Sequence, residues 1–284
     1  MFDMLPKTVL GPHHLRGATI NRNSLQAAGL VAAWQPNVFP GGGTLYDRAG
    51  VNNGTISGPT WSAGLMGHSL ITDGSADYRV TIPSSTRFDG ATGTIAISIS
   101  TDGTWGVDGG SAGGGAQGYA ALVCRANADG SSGCMLLISS GGIPQFIAKD
   151  VWSVTRITLV ATSDLRDSMP HTIVVSFDRA NGAACALFVD GRQEDTDTNS
   201  AAWAFNSQAI LLADSLDSWW EEFGGQIGEC RWYNRALSAA EIAAIYANPY
   251  DLWQPTLQIP MDDDYAVGGN PHWYYDLLSR RRAG

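Results

Sequence analysis

Lysine is almost missing from this 284-residue chain: Lys7 and Lys149 stand alone against fifteen arginines. Charge of any sign is scarce, at 15% of residues, and 17 basic against 27 acidic groups leave a formal net charge of −10, all of it carried by residues 29–250. A surface with that balance repels phosphate backbones instead of displacing counterions from them, which argues against nucleic acid as a partner. No run approaches the roughly eighteen continuous apolar residues of a membrane span, so no membrane partner is expected. The opening MFDMLPKTVLGPHHLRGATINRN has no long apolar core, so it does not read as a secretory signal, and synthesis in a cytoplasm is expected. Cys124, Cys134, Cys185 and Cys230 form no CxxC pair, and no histidine lies at zinc-ligand spacing. Each sits in or beside a strand-like apolar run, which predicts buried reduced thiols; a Cys124–Cys134 bridge across a hairpin is the alternative in an oxidising setting. No nucleophile elbow surrounds any serine.

What is abundant is glycine, 34 residues, beside a hydrophobic content of 44% that suffices for a core. Thirteen short strand-like runs follow one another from Leu30–Trp34 to Gly225–Tyr233, separated by Gly, Asp, Asn and Ser turns. So many short strands call for two stacked antiparallel sheets. Thr94–Ser100 alternates cleanly, predicting one wet face. Asn181-Gly182 and Asp190-Gly191 are hairpin signals, and the glycine-rich run 103–118 reads as a loop. Residues 1–28 are broken by Pro6, Gly11, Pro12 and Gly17 and read as an arm, with Phe2 and Leu5 among its apolar contacts. Residues 251–284 read as an extended tail. Its Trp253, Trp273, Tyr274 and Tyr275 are more aromatic than a free tail would carry, so it is expected to pack on the domain itself or on a neighbouring subunit.

The stretch Gly225–Pro249 carries the sharpest pattern. Ile227, Cys230 and Trp232 alternate with Glu229, Arg231 and Tyr233, which predicts a half-buried strand. Ser238 stands three residues before Glu241, a capping box, with Leu237 and Ile242 placed as its hydrophobic staple. Ile242, Ile245 and Tyr246 then form one apolar helical face, and Pro249 ends the helix.

With GLVAAW at Gly29–Trp34, LYDRAGVNNGTI at Leu45–Ile56, LITDGSADYRVTI at Leu70–Ile82, and the paired runs His171–Asp178 and Leu187–Gly191, this stretch resembles, in order, the laminin-G-like jelly rolls of the concanavalin A-like lectin/glucanase superfamily. The resemblance covers about residues 29–250 and implies an all-β, two-sheet antiparallel jelly-roll sandwich with a short C-terminal helix. It also raises two chemistries. Glucanase relatives place Glu-x-Asp-x-x-Glu on one strand so that alternation sets the acids on one face. Here Glu221 and Glu222 are adjacent and face opposite ways, with Glu229 further on, so the chain departs from that pattern and no catalytic residue is assigned. Lectin relatives bind sugars with aromatic platforms on loops, which makes Trp105, Trp203, Trp219 and Trp220 candidates. Calcium, a ligand of many relatives, would take Asp47, Asn52, Asp73 and Asp77, although Asp73 and Asp77 equally serve as turn caps. No other cofactor is expected. Similar sandwiches occur in phage decoration and tail proteins. The resulting expectation is a non-enzymatic virion protein that presents a lectin-like sandwich, docked through arm and tail to other virion subunits or to itself, with a glycan as a further partner. A free-standing carbohydrate-binding module is the alternative.

Overall fold

The computed structural model of the chain describes residues 18–36, 41–64, 67–74, 78–101, 118–127, 132–150, 154–199, 201–204, 208–215 and 221–254. In chain order the strands are β1 (Thr19–Ile20), β2 (Leu30–Trp34), β3 (Thr44–Leu45), β4 (Gly54–Ser57), β5 (Thr60–Gly64), β6 (Gly67–Asp73), β7 (Arg79–Ile82), β8 (Thr92–Ser100), β9 (Tyr119–Ala126) and β10 (Gly133–Ser139). They continue as β11 (Pro144–Lys149), β12 (Thr155–Val160), β13 (Pro170–Asp178), β14 (Ala186–Val189), β15 (Arg192–Thr196), β16 (Ile210–Leu212), β17 (Glu221–Glu222) and β18 (Gly224–Tyr233). Helix α1 (Ala239–Ala247) and β19 (Trp253–Gln254) follow.

The first sheet runs β12-β11-β10-β9-β16-β7-β4-β3, with β17 parallel to β9. The second runs β15-β14-β13-β8-β18-β6-β5, with β2 on β18. Between them lies one apolar core that includes Trp34, Phe88, Phe146, Phe177, Trp203 and Trp232. This is the jelly-roll sandwich expected from the order of motifs. The described parts of the arm and tail join it: β1 pairs with β19, and Ala18, Ile20, Leu252 and Trp253 cluster with Ala33 on the second sheet's outer side. Of the two places expected for the tail aromatics, the domain itself or a neighbouring subunit, Trp253 takes the first, buried on its own domain at 2% exposure. Phe2, Leu5, Trp273, Tyr274 and Tyr275 lie outside the described residues, as does most of the glycine-rich run.

The capping box forms as read: the Glu241 N–H donates to Ser238 Oγ, and the Ser238 N–H donates to Glu241 Oε2 at 2.9 Å. Ile242 and Ile245 pack with Leu237 onto Ala96, Val174, Phe188 and Tyr233 of the second sheet. Burying each isoleucine contributes about 1.5–3 kcal/mol. Tyr246 departs from its expected place in that face; it is 47% exposed, and its ring lies over the Asp190-Gly191 turn.

This packing corrects two expectations of a wet face. β8 is buried almost throughout, and β18 is buried on both sides. The cause is a lid over the second sheet, made of α1, the Leu25–Ala27 turn and the β1/β19 pair. Under it, Arg231 donates to Glu229 Oε2 at 2.6 Å, to Gln26 Oε1 at 2.6 Å and to the Pro249 carbonyl. Burial opposes the guanidinium charge, and the adjoining Glu229 carboxylate together with Tyr233 holds the pKa above its ordinary value. Gln26 also donates to the Asn248 carbonyl at 2.9 Å, satisfying an orphan acceptor at the end of α1.

Asp190-Gly191 makes the expected tight turn, both residues having positive φ of 50° and 77°. Asn181-Gly182 does not: Asn181 is extended at φ −141° and opens a single 3-10 turn over Gly182–Ala184. The four thiols are free and buried, and burial pushes Cys134 up to about 12. Cys124 stands opposite Met135 and Cys134 opposite Arg125, so these two sulfurs face opposite sides of the sheet.

Candidate functional site

The turn between β3 and β4 collects two of the proposed calcium ligands. Oδ1 of Asp47 accepts from the Ala33, Ala49 and Gly50 N–H groups at 3.0–3.1 Å. Oδ2 accepts from the Asn52 N–H at 3.1 Å and its Nδ2 at 3.4 Å. Asn52 in turn gives its carbonyl to Trp34 Nε1 at 2.8 Å. A carboxylate engaged by five N–H donors organises a turn; its lone pairs are spent on backbone. Gly50 is required there, since a Cβ would lie 2.6 Å from Asp47 Oδ2. Asp73 is exposed at the end of β6 in the other sheet, paired with Gly224, and Asp77 lies outside the described residues. Among the described residues, no group of three His, Cys, Asp or Glu side chains is placed to hold a metal ion.

Of the four candidate sugar platforms, Trp105, Trp219 and Trp220 lie outside the described residues. Trp203 is in the core at 4% exposure, edge-on to Phe177 at 5.4 Å and Phe146 at 6.0 Å. It has no face to offer a ligand, and its role is packing. Trp61, which sequence reasoning did not single out, plugs the opposite edge of the sandwich half-buried, with Nε1 donating to the Gly42 carbonyl at 2.9 Å. The period-two run Thr60-Trp61-Ser62 after Pro59 was its signal.

The outer face of the first sheet divides into two halves. One cross-strand row reads Thr44, Thr55, Thr81, Leu211, Cys124, Met135, Ile147 and Thr158. Its middle is buried and apolar: Leu211, Cys124, Met135 and Ile147 cluster with Ala121 and Leu137. Its β3 end is accessible and rich in hydroxyls. Leu45, Val80 and Ile82 point into the core, so alternation turns Thr44, Tyr46, Arg79 and Thr81 outward. Thr55 and Ser57 are exposed, and Tyr46 is 44% exposed. Arg79 Nη1 meets Asp214 Oδ2 at 3.1 Å beside them. Hydroxyls that donate and accept, a phenol ring and a guanidinium–carboxylate pair are the groups that read vicinal hydroxyls and stack on a pyranose C–H face.

The acidic residues near β18 offer a different arrangement. Glu229 is buried, its Oε2 taken by Arg231 and its Oε1 by Trp253 Nε1 at 3.2 Å. Glu221 and Glu222 are successive residues of β17, whose backbone pairs in parallel with Ala120 and Ala121 of β9. His171 is clamped between two carboxylates, Nδ1 to Asp190 at 2.8 Å and Nε2 to Asp167 at 2.9 Å. The hydrogen bond to Asp190, together with that to Asp167 and against the cost of burial, pushes its pKa up to about 9. Both ring nitrogens are occupied, which makes this histidine a brace between the β13 start and the β14–β15 turn.

A laminin G family model described as the concanavalin A-like lectin/glucanases superfamily matches residues 73–243. No curated protein matches the sequence. Among solved structures, the binding domain of Paraclostridial mosquitocidal protein 1 superposes with a TM-score of 0.61 at 13% identity, covering 79% of this chain and 53% of that one. The chain thus spans about half the length of that structure. The binding domain of botulinum neurotoxin DC, solved with SialylT, gives 0.56 at 12% identity over 78% of this chain and 51% of that one. Domain 4 of the extracellular arabinanase AbnA from Geobacillus stearothermophilus, solved with arabinotriose, gives 0.53 at 13% identity over 76% of this chain and 98% of that domain. At these identities the likeness is one of fold alone.

Proposed function

Since the chain belongs to the concanavalin A-like lectin/glucanase superfamily, we propose that it is a non-enzymatic carbohydrate-binding sandwich whose ligand lies across the Thr44–Thr55–Thr81 end of the first sheet. Tyr46 is the stacking platform, and Arg79 with Asp214 is the polar clamp. The observation that carries this reading is the accessible hydroxyl row beside Tyr46 and the Arg79–Asp214 pair. Two solved neighbours support the ligand class, because their structures contain SialylT and arabinotriose. The burial of Glu229 in an ion pair supports binding over hydrolysis.

The proposed setting is the surface of a virion, in a decoration or tail-associated position, with residues 1–17 and 255–284 docking to other subunits or to a second copy. What supports it is the aromatic content of that tail, Trp273, Tyr274 and Tyr275 above all. A glycan array with the full chain tests the binding. Retention of a defined glycan, lost in Tyr46→Ala and Arg79→Ala, is the expected result; no retention, or retention indifferent to both changes, overturns it. Deleting residues 1–17 and 255–284 tests the setting separately. The glycan should stay bound while particle association is lost; a free-standing lectin would lose neither.

A further inference from the structure

One side of the sandwich is closed by side chains where a backbone ladder would be expected. β12 is the edge strand of the first sheet and β15 the edge strand of the second. The N–H groups of β12 that point away from β11 belong to alternate residues, and those of Thr158 and Val160 find carboxylates from the β15 side. The Thr158 N–H donates to Asp197 Oδ2 at 3.1 Å and the Val160 N–H to Asp195 Oδ2 at 2.7 Å. Just past the strand, the Thr162 N–H donates to Glu194 Oε2 at 2.7 Å, joined there by the Ser163 N–H at 2.9 Å. The Thr162 hydroxyl donates to the same oxygen at 3.0 Å and the Ser163 hydroxyl to Oε1. An outward carbonyl is met as well, with Asn199 Nδ2 donating to Arg156 O at 2.6 Å.

An exposed row of backbone donors is a template for pairing with another chain, and natural sheets blunt it. We infer that the acidic run Glu194, Asp195 and Asp197 is an edge guard: it occupies the β12 donor row and so prevents β12 from pairing with the β12 of a second copy. The occupant excluded is a copy of this chain because the edge is self-complementary. Antiparallel pairing centred on Leu159 sets Thr158 of one copy opposite Val160 of the other, and these residues exchange both backbone hydrogen bonds. The facing pair Thr158 and Val160 is uncharged and strand-favouring, with Val160 45% exposed, and Arg156, set opposite Thr162, is already paired with Asp150 of its own chain.

The test replaces the guard in the full chain: Glu194→Ala, Asp195→Ala and Asp197→Ala together. Light scattering on the eluted protein should show a doubling of mass relative to the unmodified chain at equal concentration. Adding Val160→Pro should reverse it, because that residue's N–H points away from β11 and its loss removes an edge donor without breaking the internal ladder. A folded triple variant with unchanged mass, or a doubling that Val160→Pro leaves intact, overturns the inference. If the triple variant does not fold, Asp195→Ala alone decides. Hydrogen exchange at the Val160 amide should then accelerate at least tenfold, with mass increase appearing at higher protein concentration; no change in either overturns the inference.

Discussion

Replacing Glu229 by Gln isolates one charge in the most enclosed part of the lid. The Arg231 side chain is 2% exposed and that of Glu229 7%, with 2.6 Å between Arg231 Nη2 and Glu229 Oε2. Glutamine keeps the shape and one acceptor oxygen but removes the countercharge, leaving a buried guanidinium whose acceptors, Gln26 Oε1 and the Pro249 carbonyl among them, are all uncharged. Removing one partner of a buried pair costs about 3–5 kcal/mol, because the survivor remains charged and desolvated. In a chain of this size that corresponds to a fall in Tm of roughly 5–8 °C. Replacing both residues by leucine removes both desolvation penalties, so the double variant should recover most of the loss. Urea unfolding followed by fluorescence gives the cycle. The lid should loosen first, so α1 amides should lose exchange protection in Glu229→Gln before the β8 amides do. A single variant within about 0.5 kcal/mol of the original chain, or a double variant as unstable as the single, would refute the claim that neutralisation under the lid permits β18 to be buried on both sides.

Other outcomes follow from the same packing. Protonated His171 has a folded pKa of about 9 against an ordinary 6.5, so its contribution, about 1–3 kcal/mol given that its side chain is 11% exposed while its partners are more open, is complete below pH 6.5 and fades as pH rises to 9. Thermal melts across that window should show the slope, and His171→Gln should flatten it. Ser238→Ala should cost about 1 kcal/mol in a denaturant melt by removing the cap acceptor of α1. Trp203→Phe should lower stability by about 1–3 kcal/mol through the space it leaves beside Phe146 and Phe177, while glycan retention per folded molecule stays unchanged; a selective loss of retention would return Trp203 to the binding surface.

The readable parts of this fold are those whose signals are local. Ser238 and Glu241 are three residues apart, and their cap follows from chain geometry alone. Asp190-Gly191 requires only that both residues accept positive φ. The misread parts depend on distant segments. Glu229 and Arg231 alternate with apolar neighbours and so resemble a wet face; only the return of residues 18–28 and 248–254 over that face buries them, and only their mutual charge makes it tolerable. Trp203 lies in a stretch without strand period and so resembles a loop platform, yet Phe146 and Phe177, far away in sequence, draw it into the core. Asp47 carries the oxygens of a metal ligand, but the Ala33, Ala49, Gly50 and Asn52 N–H groups converge on them first. The accessible row on the first sheet was hidden for a related reason: Thr44, Thr55 and Thr81 are each unremarked in sequence and become a surface only when three strands set them side by side.

The most direct test of that surface is a backbone amide shift map of the full chain titrated with the glycan that an array selects. Shifts should centre on Thr44, Tyr46, Thr55, Arg79 and Thr81 and saturate together with one Kd. Shifts centred instead on the α1 lid or the β12–β15 edge, with those five amides unmoved, would contradict that placement.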